Sequence, residues 1–102
     1  MVYNKLVRDK IPDIIRNQGE IPRTRILTAD EYTLALSRKL DEEVAEFHSE
    51  KNLEELADIL EVVYALAETM GCTKEELHCV YDQKHESRGG FRKRIFLISK
   101  EG

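Results

Sequence analysis

The chain has 102 residues, carries 16 Lys+Arg against 20 Asp+Glu for a net charge of −4, and is 41% hydrophobic and 35% charged. That balance suits one folded domain spanning 1–102, and it excludes a disordered polyelectrolyte and a protein with a general basic excess for nucleic acid. The longest uncharged runs, such as Val62 to Ala67, fall far short of a membrane span, and Lys5, Arg8, Asp9 and Lys10 stand where a signal peptide needs its apolar stretch, so a cytoplasmic location without membrane contact is expected.

In chain order, Pro12 opens a short helix that ends before Gly19, with Ile11, Ile14 and Ile15 as its apolar positions. Pro22 stops that regularity, and Arg25-Ile26-Leu27 reads as a short strand. Thr28-Ala29-Asp30-Glu31 sets a hydroxyl three residues ahead of a Glu, the capping-box spacing, and opens a helix that runs to about His48. Asn52-Leu53-Glu54-Glu55 repeats the cap logic before a second long run that stops at Gly71. Thr73-Lys74-Glu75-Glu76 is another capping box, for a helix reaching Glu86 or Ser87. Arg88-Gly89-Gly90 is a turn, and 94–98 reads as a strand able to pair with 25–27. The 28–48 and 52–71 helices are joined by so few residues that they must form an antiparallel hairpin, and with the 73–87 helix they predict an all-α bundle. Cys72 and Cys79 lack the paired spacing of a zinc site, and His48, His78 and His85 show no metal or catalytic spacing.

The acids are concentrated. Between Asp41 and Glu61 nine carboxylates face a single Lys51, a local net charge of −8. A solvated helical face is the ordinary explanation of such a run, and helical phase tests it at about 100° per residue. On the 28–48 helix the stripe Leu36, Leu40, Val44 and Phe47 includes Glu43 at its edge, with Glu46 on the flank and Glu42 further out. The 52–71 helix has two apolar faces, Leu53/Leu56/Leu60/Val63/Tyr64/Ala67 and Ile59/Val62/Leu66, as a central helix should, and Glu55 and Asp58 belong to the second. Glu54, Glu61 and Glu68 fall in the wedge between the faces, where solvated charge is expected. Glu43 with Glu46, and Glu55 with Asp58, are each three residues apart and hence neighbours on their own helices. Four carboxylates meeting from two helices make a hard oxygen site suited to Mg²⁺, with Mn²⁺ able to substitute. Taken singly, Glu55 has a competing role as the reciprocal partner of an Asn52 capping box.

The sequence Glu42-Glu43-Val44-Ala45-Glu46 followed by Glu55-Leu56-Ala57-Asp58 resembles the E-E-x-x-E … E-x-x-D signature of the all-α nucleoside triphosphate pyrophosphohydrolases, the MazG-like superfamily. Tyr3-Asn4-Lys5-Leu6-Val7-Arg8-Asp9-Lys10-Ile11-Pro12 and Lys84 … Arg88-Gly89-Gly90-Phe91 resemble the opening and closing motifs of its phosphoribosyl-ATP pyrophosphohydrolase-like branch. Eight residues, Phe47 to Glu54, separate the two acidic motifs, fewer than the wider superfamily places there. The resemblance implies Mg²⁺-dependent hydrolysis of a nucleoside triphosphate between the α- and β-phosphates, with Glu43, Glu46, Glu55 and Asp58 as metal ligands and Glu42 as the helper or base for the attacking water. A polyanionic nucleotide also calls for cations. The stretch Lys84 to Arg94 has a net charge of +4, so Lys84 and Arg88 are candidates for phosphate, with Arg8 and Lys10 as a second cluster.

Two other readings belong to the same residues. One is phosphoribosyl-ATP hydrolysis in histidine biosynthesis, the same bond broken on another substrate. The other is a non-catalytic helical dimerisation or nucleotide-sensing module. The two apolar faces of the central helix predict a homodimer or higher homo-oligomer on any of these readings.

Overall fold

The computed structural model describes residues 3–102. Pro12 lies in the first turn of α1 (Ile11–Asn17), where its missing N–H leaves no helical bond unmade. Capping boxes start two of the longer helices, α2 (Ala29–Glu50) at Thr28 and α4 (Lys74–Arg88) at Thr73. In each the Thr hydroxyl accepts from the amide three residues on, and that residue's Glu carboxylate accepts from the Thr amide. Asn52 caps α3 (Leu53–Thr69), its Oδ1 accepting from the Glu55 amide at 2.9 Å. Only this half of the box forms. The Glu55 side chain is therefore left for another use.

Lys51 and Asn52 alone join α2 to α3, and the tight reversal puts Lys51 at φ 51°, in the left-handed region. After α3 the chain turns on Gly71 at φ +79°, and the Cys72 amide reaches back to the Ala67 carbonyl at 3.0 Å, which satisfies an orphan carbonyl of the last turn. α2 and α3 pack side by side around Leu36, Val62 and Ala67, with Leu40, Phe47, Ile59 and Leu66 half-buried about them. The α3 face carrying Ile59, Val62 and Leu66 thus turns inward. Leu53, Leu56 and Leu60, on the other face, stay exposed.

α4 is attached more loosely, because its sequence offers few apolar positions beyond Leu77, Val80 and Tyr81. Its N-terminal half meets α3 through Tyr64, whose hydroxyl is 2.9 Å from His78 Nε2 and whose ring lies 4.6 Å beneath Lys74 Nζ. Everything beyond His78 is exposed. The radius of gyration is 18.1 Å, against about 13 Å for a compact chain of this length.

The two expected strands do not form: among the described residues 25–27 and 94–98 are irregular chain without sheet pairing. Each is short, and neither finds the other as a partner. Arg25 reaches Glu31 instead, at 2.9 and 3.1 Å, and Arg94, at φ 55°, closes a turn onto the Phe91 carbonyl just where the second strand was to begin. The described part of the molecule is all-α, and no helix in it is long and apolar enough to cross a membrane.

Candidate metal centre

Helical phase decides which acids meet. Glu43 occupies the same stripe of α2 as Leu36 and is only 9% exposed, the one buried charged residue described. Across the seam α3 presents Glu55 and Asp58 beside Val62. One carboxylate oxygen from each of Glu43, Glu55 and Asp58 lies within 4.8 Å of the other two. Around an octahedral Mg²⁺ with oxygens at about 2.1 Å, neighbouring ligands are about 3 Å apart and opposite ones about 4.2 Å. A small closure of these three side chains reaches that spacing, and their all-oxygen chemistry is the kind Mg²⁺ and Mn²⁺ prefer.

The electrostatics match the geometry. Burial, followed by the charges of Asp58, Glu46, Glu43 and Glu50, pushes the Glu55 carboxyl above its ordinary value. Glu46 is thus near enough to be felt, yet it is exposed and offers no oxygen to the close trio. Glu42 stands apart on the flank, in ion pairs with Lys39 at 3.3 Å and Lys5 at 3.5 Å.

The chain supplies its own counter-charges. Arg8 Nη2 donates to Asp58 Oδ1 at 2.6 Å, tying the N-terminal arm to α3. Lys39, mostly buried, contacts Glu43 at 3.2 Å. Burial alone would lower the Lys39 ammonium, but the hydrogen bonds it donates to Glu43 and Glu42, with the charges of those carboxylates, outweigh it and raise the group. Lys39 escaped the sequence reading although it lies one helical turn ahead of Glu43. Residues 32, 36, 39 and 43 form a single row on α2, and that spacing was the available signal.

Beside the trio runs a cleft of about 420 Å³, with Tyr32, Leu36, Lys39 and Glu43 on one wall and Asp58, Glu61, Val62 and Glu68 on the other. Leu6 to Asp9 of the N-terminal arm and Lys74 at the start of α4 also line it. Glu61 and Glu68, expected to be ordinary solvated charges, line this cleft while remaining exposed; Glu54 is exposed and away from it. Burial, then Glu68, Asp9 and Glu61, raise the Tyr32 hydroxyl.

The remaining predicted cations are elsewhere. Lys10 is the N-cap residue of α1, exposed and outside the cleft lining. Lys84 and Arg88 lie on the free half of α4, exposed, and among the described residues neither lines the cleft nor pairs with a carboxylate. The physical reason is the sparse apolar face of α4, which cannot hold its C-terminal half against α3.

No known family matches the chain, and no solved structure matches it. It is 56% identical over 45 residues to an uncharacterized protein of Mycolicibacterium smegmatis, a match covering 44% of this chain and 46% of that one.

Proposed function

We propose that this protein belongs with the MazG-like pyrophosphohydrolases and hydrolyses a nucleoside triphosphate, or a related nucleotide, at the α–β phosphate bond to give a monophosphate and pyrophosphate. The observation that carries the reading is the convergence of Glu43, Glu55 and Asp58 beside a cleft that also holds Arg8 and Lys39. A solvated acidic face would keep its carboxylates apart. Here one is buried, and another is left free by a half-formed cap.

On this reading Glu43, Glu55 and Asp58 hold Mg²⁺, and Glu46 joins them by a change of rotamer from its flanking position. When bound, the ion supplies positive charge against the phosphate oxygens and makes the attacking water more acidic. Glu42, next to Glu43 in the chain, would take the proton of the attacking water after turning from its flanking pairs with Lys5 and Lys39. Arg8 exchanges Asp58 for a phosphate oxygen of the substrate, a partner its planar fork also fits. The cleft walls of Tyr32, Leu36 and Val62 receive the remainder of the nucleotide.

The test is a panel of nucleoside triphosphates, with phosphoribosyl-ATP included, incubated with Mg²⁺ or Mn²⁺ and assayed for pyrophosphate. Turnover should appear with at least one of them and fall at least about 100-fold in Glu43→Gln and Asp58→Asn, since even groups behind a metal's ligands cost 10- to 100-fold. Glu54→Gln, outside the cleft, should stay close to the parent. Absence of pyrophosphate across the panel, or full activity in Glu43→Gln, rejects the reading.

A further inference from the structure

The chain leaves far more surface in water than its mass requires. Its accessible area is 9685 Å², whereas a compact monomer of 11.9 kDa exposes about 5,900 Å². The excess, roughly 3,800 Å², exceeds the roughly 800 Å² per partner that a standard protein interface buries.

Two exposed features account for much of it, and they complement each other twice. The first is the row Leu53, Leu56 and Leu60 on α3, exposed at 80, 45 and 47% and bordered by Glu54 and Glu61. It belongs to the stretch with a net charge of −8. The second is the segment after α4, where Phe91, Ile95, Phe96, Leu97 and Ile98 are 76 to 96% exposed. Arg92, Lys93 and Arg94 stand among them, and among the described residues none makes an ion pair with a carboxylate. One feature is apolar with acidic borders and the other apolar with basic interleaving. Within a single chain they do not cover each other, because the free half of α4 carries the segment away from α3.

We propose that residues 91–98 of one chain dock on the Leu53/Leu56/Leu60 row of a second copy, bringing the cations of 88–94 to that copy's acidic helices. The exchange is reciprocal, so two copies close the assembly with no complementary surface left over. Apolar burial supplies the affinity, and the opposed charges fix the direction of docking and exclude pairing of like ends. The docking stands on surface and charge alone and does not depend on the hydrolytic reading.

Light scattering on the full-length chain tests the pairing, with Ile95→Asp/Phe96→Asp as the variant. Both positions are exposed in the single chain, so circular dichroism should show its helices unchanged. The parent should run at twice 11.9 kDa and the variant at 11.9 kDa. A monomeric parent at tens of micromolar, or a variant that keeps the doubled mass, overturns the proposal. Independently of folding in that variant, Leu56→Cys/Phe96→Cys in a Cys72→Ser/Cys79→Ser background should oxidise to a covalent dimer when dilute. An intrachain disulfide, or none, overturns the proposal as well.

Discussion

The two seams of this molecule are built from different materials. Between α2 and α3, Leu36, Val62 and Ala67 are buried, and the same seam takes in Glu43 with Lys39 upon it. Between α3 and α4 the contact is a hydroxyl on an imidazole and an ammonium over a ring. Charge has thus gone into the tight seam and aromatic polarity into the loose one. Packing for stability alone would do the reverse, because a buried carboxylate is tolerated only with a partner. The tight seam therefore has a second task, and the loose one leaves half a helix free.

Truncating the seams should separate them most sharply. Leu36→Ala removes a side chain that is 3% exposed and should cost about 2–5 kcal/mol, enough to threaten the fold. Tyr64→Phe removes the hydroxyl bonded to His78 and should cost about 1 kcal/mol or less. Urea unfolding of both variants measures the gap, and equal losses would make the two seams equivalent.

A smaller effect probes the charge within the tight seam. Lys39→Met takes away the cation paired with Glu43 and should lower metal-free stability by roughly 2 kcal/mol, or roughly 10 °C in melting temperature. Millimolar Mg²⁺ should recover most of that loss, because an ion bound only by the folded state stabilises it. Melting in EDTA and in Mg²⁺ gives both numbers; a loss that Mg²⁺ does not repair would detach Lys39 from the metal centre.

The smallest effect lies outside both seams, at the start of α2. The Arg25 guanidinium, together with the Thr28 amide, holds the Glu31 carboxyl down to about 2. A carboxyl depressed in the fold stabilises it above the unfolded value near 4.5, and that contribution drains away as pH falls from there toward 2. Glu31→Gln should accordingly flatten the acid limb of a melting-temperature profile and leave the neutral plateau only slightly lower. An unchanged acid limb would show the Arg25 pair to be without thermodynamic weight.

Much of this could be read from the sequence, for local reasons. Thr28, Asn52 and Thr73 announce three helix starts because capping depends on residues three apart. The burial of Glu43 follows from its phase against Leu36 and Phe47. Legibility fails where the deciding partner is distant. Ile95 to Ile98 has the composition of a strand, but strands need a neighbour that local pattern does not reveal. Lys84 and Arg88 were expected beside phosphate because their spacing fits, yet their position depends on how far α4 follows α3. Glu55 shows the opposite case: its spacing allows two roles, and the fold sets its carboxylate beside Asp58 and Glu43, with no bond to the Asn52 amide.

The two-residue link at Lys51 and Asn52 also bears on how the chain folds. The acidic trio comes from positions 43 to 58, so bringing it together closes one of the shortest tertiary loops in the molecule, at little entropic cost. Elements joined so closely can meet on the microsecond scale of helix and hairpin formation. The repulsion among those carboxylates is consequently met early, while α4 and the tail are still unplaced, and Lys39, carried on the same helix as Glu43, is already at hand to offset it.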